Sequence, residues 1–370
     1  MEAIVLQENL SKVLQTILKF TPSKPQLPIL SSILIEAKDA QLVFSTTDLR
    51  MSARVRVGGK VLKEGKFVLA GKPFAEYILS LSPGSLTMKE DGGELYIEGE
   101  GIHTRFQGMN VEDFPQIPTI EGEGVELPAE SFAHFIEMGG LASGIDETRP
   151  VFSSILLEFE DGIIKSISTD GYRLSGWSEK VKNVKSSTSI LVPARFTKET
   201  AHIVERSNQQ MFFYPLQSGK MLGIKQGDAE FYLRTIEGDF PDYHAIVPPE
   251  FSIEVVVDVE PFLQALKTAA VFSRDASNIV KIEIEDKKMI VRATSVTLGE
   301  HVSEIPIEIQ KGEKGNIAFN GKYLMELLSN VHKDKLWFGM NEELKPGMFR
   351  SEDEHAFFYL VMPFKVQDQS

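Results

Sequence analysis

Apolar and polar positions along this chain follow two periods in a recurring order. Short stretches such as Ala3 to Leu6 and Glu254 to Val257 read as strands with one buried face. Each is followed by a helical pattern. Leu10, Val13, Leu14, Ile17 and Leu18 fall at three- and four-residue spacings, and Phe262, Leu263, Leu266, Ala269 and Ala270 repeat that face. Strands separated by turn signals come next: EDG at 160–162, EDGGE at 90–94 and NEELKPG at 341–347. Second helices, Phe74 to Leu81 and Tyr323 to Val331, then lead into further strands. The pattern predicts helices over 8–20, 72–82, 130–143, 195–207, 260–274 and 322–335. With hairpin-like turns and little βαβ spacing, the expected class is α+β with antiparallel sheets rather than a doubly wound parallel sheet.

The order recurs because the chain is internally repeated. PILSSILIEAKDAQLVFSTTD, from Pro28 to Asp48, returns 122 residues later as PVFSSILLEFEDGIIKSISTD, from Pro150 to Asp170, with 9 of 21 positions identical. VKIEIEDKKMIVRATS, from Val280 to Ser295, is a fainter third copy. Phe114-Pro115 is matched by Phe240-Pro241, and three strand–turn–helix segments open at Phe67, Ile190 and Asn316. Three copies predict three domains, 1–122, 123–250 and 251–370, joined by linkers around 117–128 and 247–254.

Composition narrows the chemistry. The 370 residues include no Cys, which excludes a disulfide framework, a thiolate nucleophile and Cys-ligated zinc. The seven histidines form no metal-binding spacing, and no GxGxxG, GxxxxGK[ST] or GxSxG occurs, so neither metal nor cofactor is expected. VRVGGKV, ending at Val61, reads as a turn between strands. The opening MEAIVLQENLSKVLQ lacks a basic region followed by an apolar one, and no apolar run reaches membrane-spanning length, so a cytoplasmic location without membrane association is expected. The net charge of -14 argues against a phosphate-rich partner only if charge is spread evenly. The six helical windows hold 11 Lys or Arg against 9 Asp or Glu, which leaves the excess acid on the rest of the chain.

The triplicated unit, STDGYRL at 168–174, FPDY at 240–243 and the ending YLVMPF at 359–364 resemble the bacterial DNA polymerase III beta subunit, the sliding clamp, over essentially the whole chain. The resemblance implies a head-to-tail homodimer forming a six-domain ring, with two helices per domain lining the hole and antiparallel sheets outside. It implies a processivity factor that encircles double-stranded DNA without sequence preference. A clamp loader places it, and it tethers the replicative polymerase alpha subunit and translesion and repair proteins carrying clamp-binding motifs.

Site residues follow from the same resemblance. A peptide-motif pocket would be lined by Arg149, Phe152, Thr169, Gly171, Tyr172, Arg173, Leu174, Pro241, Ile246, Leu360, Val361, Met362, Pro363 and Phe364. An apolar cleft of this kind suits a short segment with Leu or Phe anchors, and a methionine adapts to several ligands. Lys24, Lys72, Arg195, Lys198 and Lys322 would face DNA, with Arg149 a further candidate. Phe106, Val271 and Phe272 would form the dimer interface. His244 and Ala245 stand where the family often has an arginine, and a QDQS tail follows Phe364-Lys365-Val366, so the motif preference need not match the family's. Two other readings remain: a repeat scaffold that binds only proteins, and an enzyme using Asp170 as base with Arg173 as anion clamp.

Overall fold

The protein is described from a computed structural model covering residues 1–22, 25, 27–160, 162–182, 187–204, 210–216, 219–351 and 356–365. It divides into two compact units, residues 1–133 with 199–235, and residues 134–198 with 236–370. The helices are α1 (Gln7–Ile17), α2 (Gly71–Ser80), α3 (Ala129–Gly139), α4 (Ala194–Val204), α5 (Val259–Ser273) and α6 (Gly321–Asn330). The predicted windows find all six, and α1 continues to Phe20 as a 3-10 turn. The third window, 130–143, runs past Gly139, where α3 ends, and the last overruns further. That last helix ends at Asn330, and Lys335 already starts a strand opposite Asp258.

In the first unit α1 buries Leu10, Val13, Leu14 and Ile17, while α2 buries Phe74, Ala75 and Ile78. Gln7 locks the pair: its side-chain amide donates to the Ile78 and Leu81 carbonyls at the end of α2, at 2.8 and 3.0 Å. In the second unit α5 and α6 pack together through Phe262, Leu263, Leu266 and Ala269 against Leu324, Leu327 and Leu328.

The repeat is visible in strand register. Three hairpins pair Thr47 with Ser52, Thr169 with Leu174 and Thr294 with Glu300. Each turn is held the same way. Asp48 Oδ1 accepts from the Arg50 and Met51 amides, Asp170 Oδ1 from those of Tyr172 and Arg173, and Ser295 Oγ from those of Thr297 and Leu298. This short side-chain-to-backbone device is the reason TTD, STD and ATS recur in the sequence.

The strand after each of the first two turns is where repeats join. In the first unit Met51–Gly58 pairs antiparallel with Ala229–Arg234, Met51 opposite Leu233 and Val55 opposite Ala229, making one eight-stranded sheet of two repeats. In the second unit Arg173–Lys180 pairs with Phe357–Val361, Arg173 opposite Val361 and Trp177 opposite Phe357, within a twelve-stranded sheet. The third such strand is longer. Its first half, from Gly299, pairs with Lys288–Ser295, and its second half crosses to Ile253–Asp258. In the first repeat the same course is broken at Gly58-Gly59, a kink between two strands rather than a reversing turn; a Cβ on Gly59 would lie 2.9 Å from the Ile4 carbonyl oxygen.

Among the described residues several strands end their sheets with one strand partner, Gly65–Ala70, Thr188–Pro193 and Gly315–Asn320 among them, and two further edges fall in the first and the last repeat. Among the described residues, the first half of Gly299–Lys311 has no strand on its other side, and Ile102–Gln107 pairs only with Glu94–Gly99.

Candidate peptide pocket and nucleic-acid face

The predicted pocket lies in the second unit around the turn at 170–172. Gly171 takes φ +94, a left-handed conformation that suits glycine, and its amide donates to Thr169 Oγ1 at 3.0 Å. Thr169 Oγ1 in turn donates to the Arg173 carbonyl at 2.6 Å. The Tyr172 carbonyl accepts from the Met362 amide at 2.9 Å, which ties the turn to the chain leaving the Phe357–Val361 strand. Two residues on, the Phe364 amide donates to the Ala318 carbonyl at 2.8 Å.

These bonds sort the predicted residues into rim and floor. Tyr172 is 56% exposed, Ile246 40% and Met362 38%, while Leu174, Leu360 and Val361 are buried. Leu174 and Leu360 pack with Leu156, Ile167, Leu191 and Tyr243 into one core cluster, against which Val151, Phe240 and Val247 lean. The strand alternates, so Leu360 points into the sheet packing and Met362 emerges where pairing stops. Pro241 is half-buried beside this cluster's Phe240, and Pro363 and Phe364 are half-buried. Phe152 carries the Arg149 guanidinium over its ring at 4.2 Å, a cation–π contact at the outer end. Tyr243 donates to Glu158 at 2.8 Å; burial and that carboxylate push its phenol well above the ordinary tyrosine range. His244 lies against Tyr243 with ring centres 4.0 Å apart and the planes tilted by 33°. The rim therefore offers aromatic, aliphatic and thioether surface over a packed floor. That composition suits a short extended segment with apolar anchors. A separate groove of about 670 Å³ runs between Asp258–Leu263 and Leu328–Asp334, and none of the predicted pocket residues lines it.

Arg173 is the most constrained of the set. It is buried, and its guanidinium donates to Asp170 at 3.0 Å, Glu326 at 2.7 Å and the Tyr359 hydroxyl at 2.9 Å, while lying 4.5 Å from the centre of the Tyr323 ring. This geometry disposes of the reading in which Asp170 acts as a base. One Asp170 oxygen holds the turn and the other is bound to Arg173, and the same turn is built with Ser295 in the third repeat. Tyr323, Glu326 and Tyr359 are the residues that sequence reasoning missed. The signal available was Tyr323 and Glu326 three apart on α6, which places them on one helix face.

Of the residues expected to face DNA, Lys72, Arg195 and Lys322 are exposed near the starts of α2, α4 and α6. Lys72 and Arg195 have carboxylates 3.9 Å away, Glu76 and Glu147. Lys24 lies outside the described residues. Lys198 differs from the expectation. Its ammonium donates to Ser143 Oγ at 3.1 Å and is largely enclosed, because Gly140 leaves room for its stem. Burial lowers its pKa, Glu326 and Glu137 pull it back up, and Arg173 adds to the lowering. Phe106 packs edge-on against Phe74 and Tyr77, Phe272 stacks on His301, and Val271 is about half exposed.

Models of the DNA polymerase III beta subunit match the whole repeat: its N-terminal domain over 1–118, its central domain over 126–242 and its C-terminal domain over 244–365. The chain belongs to this family of bacterial sliding clamps. It is 26% identical over 356 residues to the beta sliding clamp of Streptomyces coelicolor, covering 93% of this chain and 94% of that one. It is 23% identical over 379 residues to that of Bacillus subtilis, covering 99% and 100%. Its fold superposes on the crystal structures of the DNA polymerase III beta subunit from Pseudomonas aeruginosa and the sliding clamp from Bacillus subtilis, with TM-scores of 0.92 and 0.93 at 21% identity, in both cases over 99% of this chain and 100% of the other. As a member of that family the chain is a processivity clamp of DNA replication, three clamp domains in tandem, and a binding protein rather than an enzyme. Among the described residues no His, Asp and Glu side chains gather to hold a metal ion, and no helix is long and apolar enough to cross a membrane.

Proposed function

We propose that two copies of this chain join head to tail into a ring of six domains that encircles double-stranded DNA. The observation that carries this reading is that, of the open strand edges, the internal repeat specifies how Gly299–Lys311 and Ile102–Gln107 should meet. Ser52, Leu174 and Glu300 are equivalent by hairpin register, and the first two face Tyr232 and Leu360 across their junctions. The hairpins closing at Gln226–Ala229 and Gly99–Ile102 make Tyr232 and Arg105 equivalent. Copying the junction a third time therefore sets Glu300 opposite the partner's Arg105, Gly299 opposite the partner's Phe106, and Val302 opposite the partner's His103. The burial pattern supports the register. On one strand His301, Ser303 and Ile305 turn inward while Glu300, Val302 and Glu304 are exposed; on the other Ile102, Thr104 and Phe106 turn inward while His103 and Arg105 are exposed. Inward residues meet inward residues, and an acid meets a base. Phe272 on α5 lies on the inward side, stacked on His301, as an apolar seam with the partner's Phe106 requires, and Val271 next to it is half exposed. Pairing the edges also removes an aggregation liability.

In this ring affinity for DNA is topological. Lys72, Arg195 and Lys322 supply weak phosphate contacts, and Lys24 and Lys198 were expected to add to them; weak contacts without base readers permit sliding. An ATP-driven clamp loader opens the ring, and the 170–172 rim with Arg149, Ile246 and Met362 takes linear motifs of the loader, the replicative polymerase alpha subunit, and translesion and repair proteins, in the cytoplasm. The domains would divide at 1–122, 123–250 and 251–370. The test is retention. A loaded clamp stays on nicked circular DNA and runs off when the circle is linearised; retention on linear duplex with free ends would overturn the topological mechanism.

A further inference from the structure

The rim of the peptide pocket contains a buried cation whose partners come from three separate segments. Arg173 opens the junction strand of the second repeat, Glu326 and Tyr323 belong to α6, and Tyr359 belongs to the closing strand of the third. Arg173 is buried, yet Glu326 is itself 46% exposed and reaches in to it at 2.7 Å. The Tyr359 hydroxyl, which accepts from Arg173, also donates to the Tyr323 carbonyl at 3.3 Å, so Nη1 of the guanidinium is tied to α6 twice, directly through Glu326 and by way of Tyr359. Its Nε holds Asp170, and Asp170 holds the Tyr172 amide. An unbroken set of bonds thus runs from Glu326 to the residue whose carbonyl accepts from Met362.

We propose that Glu326 is a positioning residue for the peptide pocket: it holds Arg173 so that Asp170 and the 170–172 turn present Tyr172 and Met362 at the spacing a bound segment needs. This rests on the reading of that rim as the motif pocket. Glu326 is not among the residues expected to touch the segment, and its carboxylate is spent on Arg173. Charge-assisted bonds to a desolvated guanidinium are the strong class, and a rim preset in its binding geometry loses less freedom when a ligand docks. Without Glu326, Arg173 keeps Asp170 and Tyr359 but is no longer anchored to α6 by a charge, and the turn, whose Gly171 resists few conformations, loosens.

The experiment measures binding of a fluorescein-labelled pentapeptide ending Leu-Phe to the full chain and to Glu326→Gln, Glu326→Ala and Glu326→Lys, by fluorescence anisotropy. Thermal midpoint and sedimentation are followed for each variant. Positioning through Arg173 predicts a graded loss, smallest for Gln, which keeps an acceptor, roughly tenfold for Ala and larger for Lys. A role confined to helix stability would instead leave Ala and Lys nearly harmless, because both are good helix formers on a half-exposed face. Equal affinity of all four proteins, or a ranking by helix propensity, overturns the inference. If the unaltered chain fails to bind, or binds as well after Met362→Ala with Tyr172→Ala, the pocket reading falls and the inference with it. A normal affinity in the parent with a graded loss in the variants supports both.

Discussion

Reversing one charge at the proposed junction between subunits tests the ring at residue level. Arg105→Glu would set a carboxylate opposite Glu300 of the partner subunit. Arg105 is 69% exposed and Glu300 55%, so their attraction is that of a surface pair, about 0.2–1 kcal/mol. Like charges directly opposite across a strand pair cost a similar amount. Exchanging attraction for repulsion is then worth about 1 kcal/mol at each junction. A closed ring has two, giving about 2 kcal/mol and a dimer weakened roughly thirtyfold. Both residues also serve their own domains. Arg105 donates to Glu94 at 3.4 Å and Glu300 accepts from Arg292 at 3.4 Å, so the single variant loses some local stability as well. The decisive protein is therefore the double variant Arg105→Glu with Glu300→Lys, in which every junction regains an opposite pair with the sign reversed. Sedimentation velocity over a dilution series should show a weak dimer for either single variant and recovery toward the parent in the double. In 0.5 M salt the differences should shrink, since the pair is exposed. Strong dimers in both single variants, or no recovery in the double, would show that these residues do not face each other and that the junction is not copied a third time.

Other parts of the molecule carry predictions of their own. Val302→Cys with His103→Cys places two thiols directly opposite, where the separation of paired strands is compatible with a disulfide. With no native cysteine to compete, oxidation should yield a covalent dimer on a non-reducing gel, and monomer alone would refute the register. Glu230 is buried between Arg54 and Arg56, at 3.3 and 2.8 Å, and also accepts from Tyr232. Burial tends to raise its pKa, but these donors win and hold it below the usual carboxylate value. The resulting stabilisation is present above the unfolded carboxylate pKa and is lost as pH falls through the lowered folded value. Glu230→Gln should cost roughly 2–4 kcal/mol in urea unfolding at pH 7, and the gap should close in acid; a constant gap would refute a charge-based role. Gly171→Val forces a β-branched residue into φ +94 and should weaken peptide binding at least tenfold with a small fall in thermal midpoint, a strain of about 1–2 kcal/mol. Unchanged binding would separate the turn from the pocket.

What could be read in advance was whatever is local or repeated. Helix faces such as Leu10, Val13, Leu14 and Ile17 are set by 3.6-residue spacing, and all six helices lie where the pattern puts them. The turns at Asp48, Asp170 and Ser295 recur because one side-chain oxygen satisfies two amides each time. Long-range consequences were not legible. Strand alternation shows that Leu360 and Met362 share a face, but not that pairing stops at Val361, which leaves one in the core and the other at the surface. Lys198 reads as one more basic residue on a helix; the missing Cβ of Gly140, far off in sequence, is what lets its stem lie inward. The tie among Arg173, Glu326 and Tyr359 joins residues more than 150 positions apart and carries no local signature.

One backbone solution serves the joints between repeats, and their side chains differ in a way that matches what each joint must do. At the first junction Arg54 faces Glu230 within a buried charge network that also reaches the Ile117 and Pro118 carbonyls of the linker. At the second the equivalent residues are Gly176 and Phe358, and the ring lies so close over the glycine that a Cβ there would sit 2.2 Å from it. Both arrangements are closely packed and would be expensive to separate, which suits repeats linked in one chain. At the third, in the proposed ring, the equivalent positions hold Val302 and the partner's His103, and the neighbouring outward pair, Glu300 with the partner's Arg105, is one of exposed charges. Such a seam gains from apolar contact around Phe106 and Phe272, yet its polar part is worth little and is weakened by salt. A ring whose inner joints are closed tightly and whose subunit joint rests on a small apolar seam should open at that joint first, and the difference between Arg54–Glu230 and Val302–His103 is the physical reason.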